Sequence, residues 1–154
     1  MPKYTLFING SNKTVDSDPE TPLLYVLRDQ LGLNGPKYGC GVSQCASCIV
    51  LIDGKAVTSC TKPVASIGQA RIKTLEGLTE NNDELHVVQK AFIREQAAQC
   101  GYCLNGMVMT TVSLLSQNPN PSDTEIRKAL QLNLCRCGTH TRIIKAVKSA
   151  AKDL

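Results

Sequence analysis

A chain of 154 residues with a formal charge of +4, 4% aromatic residues and no tryptophan is one ordinary domain or two small ones, without the makings of a large aromatic core. Lys and Arg are dispersed, with only a modest cluster from Arg142 to Lys152, which argues against a nucleic-acid-binding face. The longest apolar-leaning stretch, Met107 to Leu115, is interrupted by two Thr and a Ser and is too short to span a bilayer.

The start of the chain, Met1 to Ile8, has no basic stretch followed by a long apolar run and no twin arginine. That predicts synthesis as a soluble cytoplasmic protein. Thiols in that compartment stay mostly reduced, so clustered cysteines read as metal ligands or redox groups rather than disulfides.

The first predicted element alternates, with Tyr4, Leu6 and Ile8 on one face. Asn9-Gly10 signals a turn, and Lys13-Thr14-Val15 returns as a second strand. A helix follows, with Thr21 as its cap, Pro22 at the first helical position and Leu23, Leu24, Leu27 and Leu31 as its buried stripe. Gly32 ends it. A Gly-rich loop over 34–41 leads into the first cysteines. Cys48 to Ile52 is a β-branched apolar run, Asp53-Gly54 is a hairpin turn, and Ala56 to Ser59 returns. A late strand lies near Arg71 to Leu75.

The second half changes to helical spacing. Glu84 to Gln99 places Leu85, Val88, Phe92 and Ile93 on one face, and Asn105 to Gln117 forms a second helix that Asn118-Pro119-Asn120-Pro121 breaks. Ser122 to Glu125 is a capping box that opens a third helix through about Leu132. Thr141 to Lys152 forms a fourth, with Ile143, Ile144, Val147 and Ala151 facing inward. The linker is expected over Glu76 to Asp83. The fold class is therefore α+β: a β-grasp ferredoxin-like domain over 1–76, then a four-helix bundle-like domain over 84–154.

Eight cysteines fall into two sets of four. Cys40, Cys45, Cys48 and Cys60 form C-x4-C-x2-C-x11-C, whose first three members match the plant-type 2Fe–2S spacing. Three thiolates from one tight loop converge, and the fourth arrives from the neighbouring hairpin. Gly39 and Gly41 permit such a loop. A structural zinc site prefers two C-x2-C knuckles and fits this run poorly. Cys100, Cys103, Cys135 and Cys137 form C-x2-C-x31-C-x1-C, which by spacing is ambiguous between zinc and 2Fe–2S. Ligation converts thiols to thiolates. With a two-iron core of roughly 2+, each site carries about −2, which offsets the basic excess.

Three stretches carry a resemblance: Asn34-Gly35-Pro36-Lys37-Tyr38-Gly39-Cys40-Gly41, Gln99-Cys100-Gly101-Tyr102-Cys103 and Asn133-Leu134-Cys135-Arg136-Cys137-Gly138. With all eight cysteines in order, the chain resembles the iron–sulfur small subunit of the xanthine oxidase family of molybdenum hydroxylases. Within it, the chain is most similar to the small subunits of the nicotinate dehydrogenase, isoquinoline oxidoreductase and membrane-bound aldehyde dehydrogenase type. The resemblance implies an electron-transfer chain with two 2Fe–2S clusters and no substrate chemistry of its own. A large partner subunit would hold the molybdopterin and oxidise an aldehyde or an N-heterocycle. Cys100, Cys103, Cys135 and Cys137 would hold the cluster proximal to molybdenum, and Cys40, Cys45, Cys48 and Cys60 the distal one. Gln99 and Cys137 would contact the molybdopterin. The downstream acceptor would be a cytochrome c subunit or domain; the alternative is a flavin subunit. The cytochrome option implies the periplasmic face of the inner membrane, reached by co-export with a partner.

One departure stands out. The family usually has Gly directly after the second loop cysteine, whereas this chain has Ala46 and then Ser47. Either the loop keeps a negative φ there or it accepts strain. His86 reads as a surface or capping residue. His140 reads as a hydrogen-bond donor to a cluster sulfur or as a solvated loop residue. Tyr102 reads as a shield for the cluster, and Met107 and Met109 as packing. Arg136 reads as a contact to partner or cofactor, or as a surface ion pair. Two rival functions remain at this point: a zinc-stapled interaction module and a free-standing ferredoxin.

Overall fold

The alternating start of the chain becomes β1 (Lys3–Ile8), and Asn9 and Gly10, both at positive φ, turn it into β2 (Ser11–Asp16). A computed structural model describes residues 1–79 and 84–154 of this protein. The helical turn α1 (Leu23–Tyr25) runs on as a π-helical turn, Val26–Gln30, and Gly32 at φ +66° ends it. Pro22, not Thr21, is the N-cap, with no side-chain cap bond. Proline's fixed φ starts the helix without one. Val26 joins Leu23, Leu24 and Leu27 in full burial, whereas Leu31 is only partly covered.

Two further strands form the second hairpin, β3 (Ile49–Ile52) and β4 (Lys55–Thr58), closed by Asp53 and Gly54 at positive φ. With β5 (Arg71–Lys73) they complete a five-stranded sheet in the order β2-β1-β5-β3-β4. β1 pairs parallel with β5, and the other neighbours pair antiparallel. A mixed sheet of this order, with a helix crossing between its two hairpins, has β-grasp topology.

β3 is the wall between two cores, because its side chains alternate. Val50 faces Leu6, Ile8, Val15 and Ile72 of the sheet and Leu23, Val26 and Leu27 of the first helix. Ile49 and Leu51 face the other way, into a cluster with Val88, Phe92, Met107, Val108, Ile143 and Val147. Each such side chain contributes about 1.5–3 kcal/mol on burial. The sheet is therefore apolar on both faces, and the helical half covers the second one.

That half contains α2 (Val87–Arg94), α3 (Leu104–Gln117), α4 (Asp123–Ala129) and α5 (His140–Lys152). α2 is shorter than the spacing predicts. His86 caps it: Val88 N donates to His86 Nδ1 at 3.2 Å, and His86 N donates to Gln89 Oε1 at 2.9 Å. Leu85 therefore lies outside the helix and is exposed, as is Ile93, while Val88, Ala91 and Phe92 are buried. The capping box of α4 forms as predicted, but the helix ends at Ala129 and leaves Leu132 exposed. On α5, Ile143, Ala146, Val147 and Ala150 are buried, while Ile144 and Ala151 sit at the margin.

The expected linker is partly structured. Leu75–Leu78 is a 3-10 turn with Leu78 buried, and Glu76 accepts hydrogen bonds from Gly35 N at 2.6 Å and Thr74 Oγ1 at 2.7 Å. Thr79 Oγ1 donates to Glu76 O at 3.1 Å, and residues 80–83 lie outside the described residues.

Candidate metal centres

Cys40, Cys45 and Cys48 sit on the loop between the first helix and β3, and Cys60 follows β4. Gly41, Ser43 and Ala46 all have positive φ, at +70°, +59° and +62°. These left-handed residues curl the loop so that its N–H groups face inward. Val42 N and Gln44 N donate to Cys40 Sγ at 3.4 and 3.2 Å, and Cys40 N donates to Cys45 Sγ at 3.3 Å. Gly39 leaves room for sulfur, because a Cβ there would lie 2.7 Å from Cys45 Sγ. Cys48 and Cys60 lie deeper, 2% and 7% exposed, packed with Leu24.

Ala46 resolves the question raised by its departure from glycine. The loop keeps the left-handed φ and accepts strain of about 1–2 kcal/mol for a residue with a Cβ.

The second set is built on helix N-termini. Cys103 is the N-cap of α3, and Gly101 at φ +82° separates it from Cys100. Cys135 and Cys137 lie on the turn that enters α5, closed by Gly138 at φ +75° and a Gly138 N to Cys135 O bond of 3.3 Å. The positive end of a helix favours thiolate. Thr139, buried at the N-cap of α5, places its Oγ1 3.1 Å from Cys135 Sγ. Cys100 and Cys137 are exposed.

Each set contains one thiol that is easily ionised and one that resists. Burial raises Cys40, but the Val42 and Gln44 N–H groups outweigh it and bring the thiol down to about 7. Burial pushes Cys48 up to about 11, with the adjacent Cys60 thiol adding to the rise. In the other set burial opposes ionisation of Cys135, but the Thr139 hydroxyl and backbone bring it down to about 7. Burial pushes Cys103 up to about 12, reinforced by Cys135 and Cys100 beside it. A cation that binds here must displace protons from Cys48 and Cys103.

Cys40 meets Cys45, Cys48 meets Cys60, and Cys103 has Cys135 and Cys100 beside it. Among the described residues no three His, Cys, Asp or Glu side chains converge tightly enough for one metal ion. Pairs suit a two-iron core, which takes four thiolates spread over two metal atoms.

A polar joint ties the two sets together. Leu134 N donates to Cys45 O at 3.2 Å, so one hydrogen bond links a loop cysteine to the residue before Cys135. The Tyr102 hydroxyl donates to the Tyr38 carbonyl. Asn105, 2% exposed, donates from Nδ2 to Ser47 O at 2.9 Å and to Ile49 O at 3.0 Å, on either side of Cys48. Its Oδ1 is buried with no partner among the described residues. A Cβ on Gly106 would lie 2.1 Å from Ala46 O, so only glycine lets α3 approach this closely.

Gln99 and Cys137 line one polar cleft of about 180 Å³ together with Gly138, Thr139, Thr141 and Arg142. His140 is exposed, and its Nε2 lies 3.4 Å from Asn133 O rather than against a cysteine sulfur. Met107 and Met109 are fully buried, and Arg136 is exposed. Thr139, Asn105 and Gly106 are absent from the sequence-based candidates. The signal for Asn105 was a lone amide in the first turn of an apolar helix. Nothing in Gly138-Thr139-His140-Thr141 marked which hydroxyl meets sulfur.

Comparison with known proteins agrees with this geometry. Residues 6–73 match the model of a 2Fe-2S iron-sulfur cluster binding domain, and residues 74–148 match that of a 2Fe-2S binding domain. The chain is 54% identical to a nicotinate dehydrogenase subunit of Pseudomonas putida, over 96% of this chain and 94% of that one. It is 44% identical to the alpha subunit of isoquinoline 1-oxidoreductase from Brevundimonas diminuta, over 95% of each. The chain belongs to the 2Fe–2S small subunits of the molybdenum hydroxylases, the xanthine oxidase family. The crystal structure of quinoline 2-oxidoreductase from Pseudomonas putida 86 contains a chain that superposes on this small subunit with a TM-score of 0.93 at 37% identity, covering 98% of this chain and 94% of that one. The small subunit has two 2Fe–2S binding regions, one in each half. Among its described residues no helix is long and apolar enough to cross a membrane.

Proposed function

We propose that this chain is the electron-transfer subunit of a molybdenum hydroxylase: it serves the molybdopterin site of a large partner subunit, from which it delivers electrons to a downstream acceptor. The observation that carries the proposal is that cysteines meet within each set, Cys40 with Cys45, Cys48 with Cys60 and Cys103 with Cys135, on either side of one hydrogen-bonded joint. When bound, each 2Fe–2S cluster accepts and releases one electron at a time. Cys100, Cys103, Cys135 and Cys137 hold the proximal cluster, and Cys40, Cys45, Cys48 and Cys60 the distal one. The exposure of Cys100 and Cys137 supports that order, because the set facing a partner must reach the surface. Gln99 and Cys137 contact the molybdopterin, a role supported by the cleft they share.

We further assign residues 1–76 to a ferredoxin-like domain and residues 84–154 to a four-helix bundle-like one. The packing of α2 on α5 and of α3 and α4 on their neighbours supports the second. The partner's substrate is an N-heteroaromatic, as the names of the nicotinate, isoquinoline and quinoline relatives suggest; an aldehyde is the alternative. The acceptor is a cytochrome c; the alternative is a flavin subunit. The cytochrome option carries the complex to the periplasmic face by co-export.

Low-temperature EPR of the reduced protein is expected to give two distinct two-iron signals. Zinc in place of iron would overturn the proposal. Isolation of the native complex is expected to yield a second, much larger subunit, and the visible spectrum of the complex separates haem from flavin. A chain that elutes alone would favour the free-standing ferredoxin.

A further inference from the structure

Ligation uses the eight cysteines and gives Thr139 no part. It sits at the N-cap of α5, where a threonine hydroxyl ordinarily accepts from a helix N–H two or three residues on. Here it makes no such bond. The residue is buried, at 6% exposure. Its Oγ1 lies 3.1 Å from Cys135 Sγ instead. A metal-bound thiolate carries no proton, so in the loaded protein the hydroxyl is the donor and sulfur the acceptor.

Hydrogen bonds to cluster sulfurs are among the levers that set a cluster's potential, because they stabilise the reduced, more negative state. Both sets use this lever. Cys40 and Cys45 receive main-chain N–H groups, from Val42, Gln44 and Cys40. Cys135 receives backbone hydrogen bonds from Thr139 and Cys137 and, in addition, the Thr139 hydroxyl, which substitution can remove. The nearby His140 does not compete, since its ring lies at the Asn133 carbonyl.

We propose that Thr139 is a positioning residue that raises the reduction potential of the helical-half cluster by donating its hydroxyl hydrogen to Cys135 Sγ. The proposal rests on the two-cluster reading above. Its consequence is an electron acceptor near the molybdopterin that one buried hydroxyl makes easier to reduce.

The test is a redox titration of the full-length, cluster-loaded protein followed by EPR, in which each cluster reports separately. Thr139→Val is expected to lower the potential of one cluster by roughly a tenfold change in its reduction equilibrium, about 59 mV for one electron, and to leave the other in place. Thr139→Ser is expected to restore the wild-type value. Unchanged potentials in Thr139→Val, or equal shifts in Val and Ser, would overturn it. Should Thr139→Val fail to fold, Thr139→Ala removes the same hydroxyl and carries the same expectation: a fall in that cluster's potential supports the proposal, and an unchanged potential overturns it. Failure of the two-cluster reading looks different: the wild type itself would lack one or both signals.

Discussion

The loop carrying Cys40, Cys45 and Cys48 and the turn carrying Cys135 and Cys137 hold sulfur by different means. The loop curls through three left-handed residues and offers main-chain N–H groups to Cys40 and Cys45, with the Ser43 hydroxyl 3.9 Å from Cys60 Sγ. The turn enters α5 and offers Cys135 backbone groups of Cys137 and Thr139 together with a close threonine hydroxyl at 3.1 Å. Depth differs as well. Cys48 and Cys60 are buried under Leu24, whereas Cys100 and Cys137 reach the surface. One site is protected, and the other is open.

The strongest way to break this contrast is to remove one ligand from each site. Cys48→Ser and Cys137→Ser should each abolish one of two EPR signals, but a different one. Cys48→Ser should also lower folding stability by about 1–3 kcal/mol more, because it leaves a polar group buried without its partner. Chemical denaturation of both variants checks this. A similar loss for both would mean that depth is not what separates the sites.

Next in size is the joint. Gly106→Ala drives a Cβ into the Ala46 carbonyl, and overpacking of this kind costs about 1–3 kcal/mol. Asn105→Ala leaves the Ser47 and Ile49 carbonyls without their donor, at about 1–3 kcal/mol. Both should weaken the magnetic interaction between the two reduced clusters. If the spectra keep the wild-type splitting while stability falls, the joint stabilises the fold without setting the distance between sites.

Metal removal sharpens the contrast in depth. A mild chelator applied to the separated small subunit should bleach the signal of the exposed set first, and the buried Cys48–Cys60 side should persist longer. Simultaneous loss would contradict it. The smallest effect expected is a gain: Ala46→Gly relieves the left-handed strain and should add roughly 1 kcal/mol of stability. Thermal melting reads it directly, and the helical-half signal should not move.

Much of this was legible in the chain. Asn9-Gly10 and Asp53-Gly54 announced both hairpins, because only a few residue types take positive φ at both central positions of a two-residue turn. The cysteine spacing singled out the first set, since Cys40, Cys45 and Cys48 share one loop and Cys60 follows a hairpin, but left the second ambiguous because 31 residues separate Cys103 from Cys135. Helix ends were harder. α2 begins at an unusual histidine cap, and Gln96 takes φ +49° just beyond its end without a glycine to mark it. The joint was not legible, because Asn105 and its acceptors are more than fifty residues apart and meet only when the helical half covers the second face of the sheet.

The close approach of Gly106 to Ala46 bears on whether the two halves can be traded as modules. The helical half carries a notch one hydrogen wide, shaped to a carbonyl on the ferredoxin-like half. A chimera that joins this helical half to a foreign ferredoxin would inherit the notch without its tenant. Each half would keep its own cysteines, yet the pair would lose the alignment that makes them a single device.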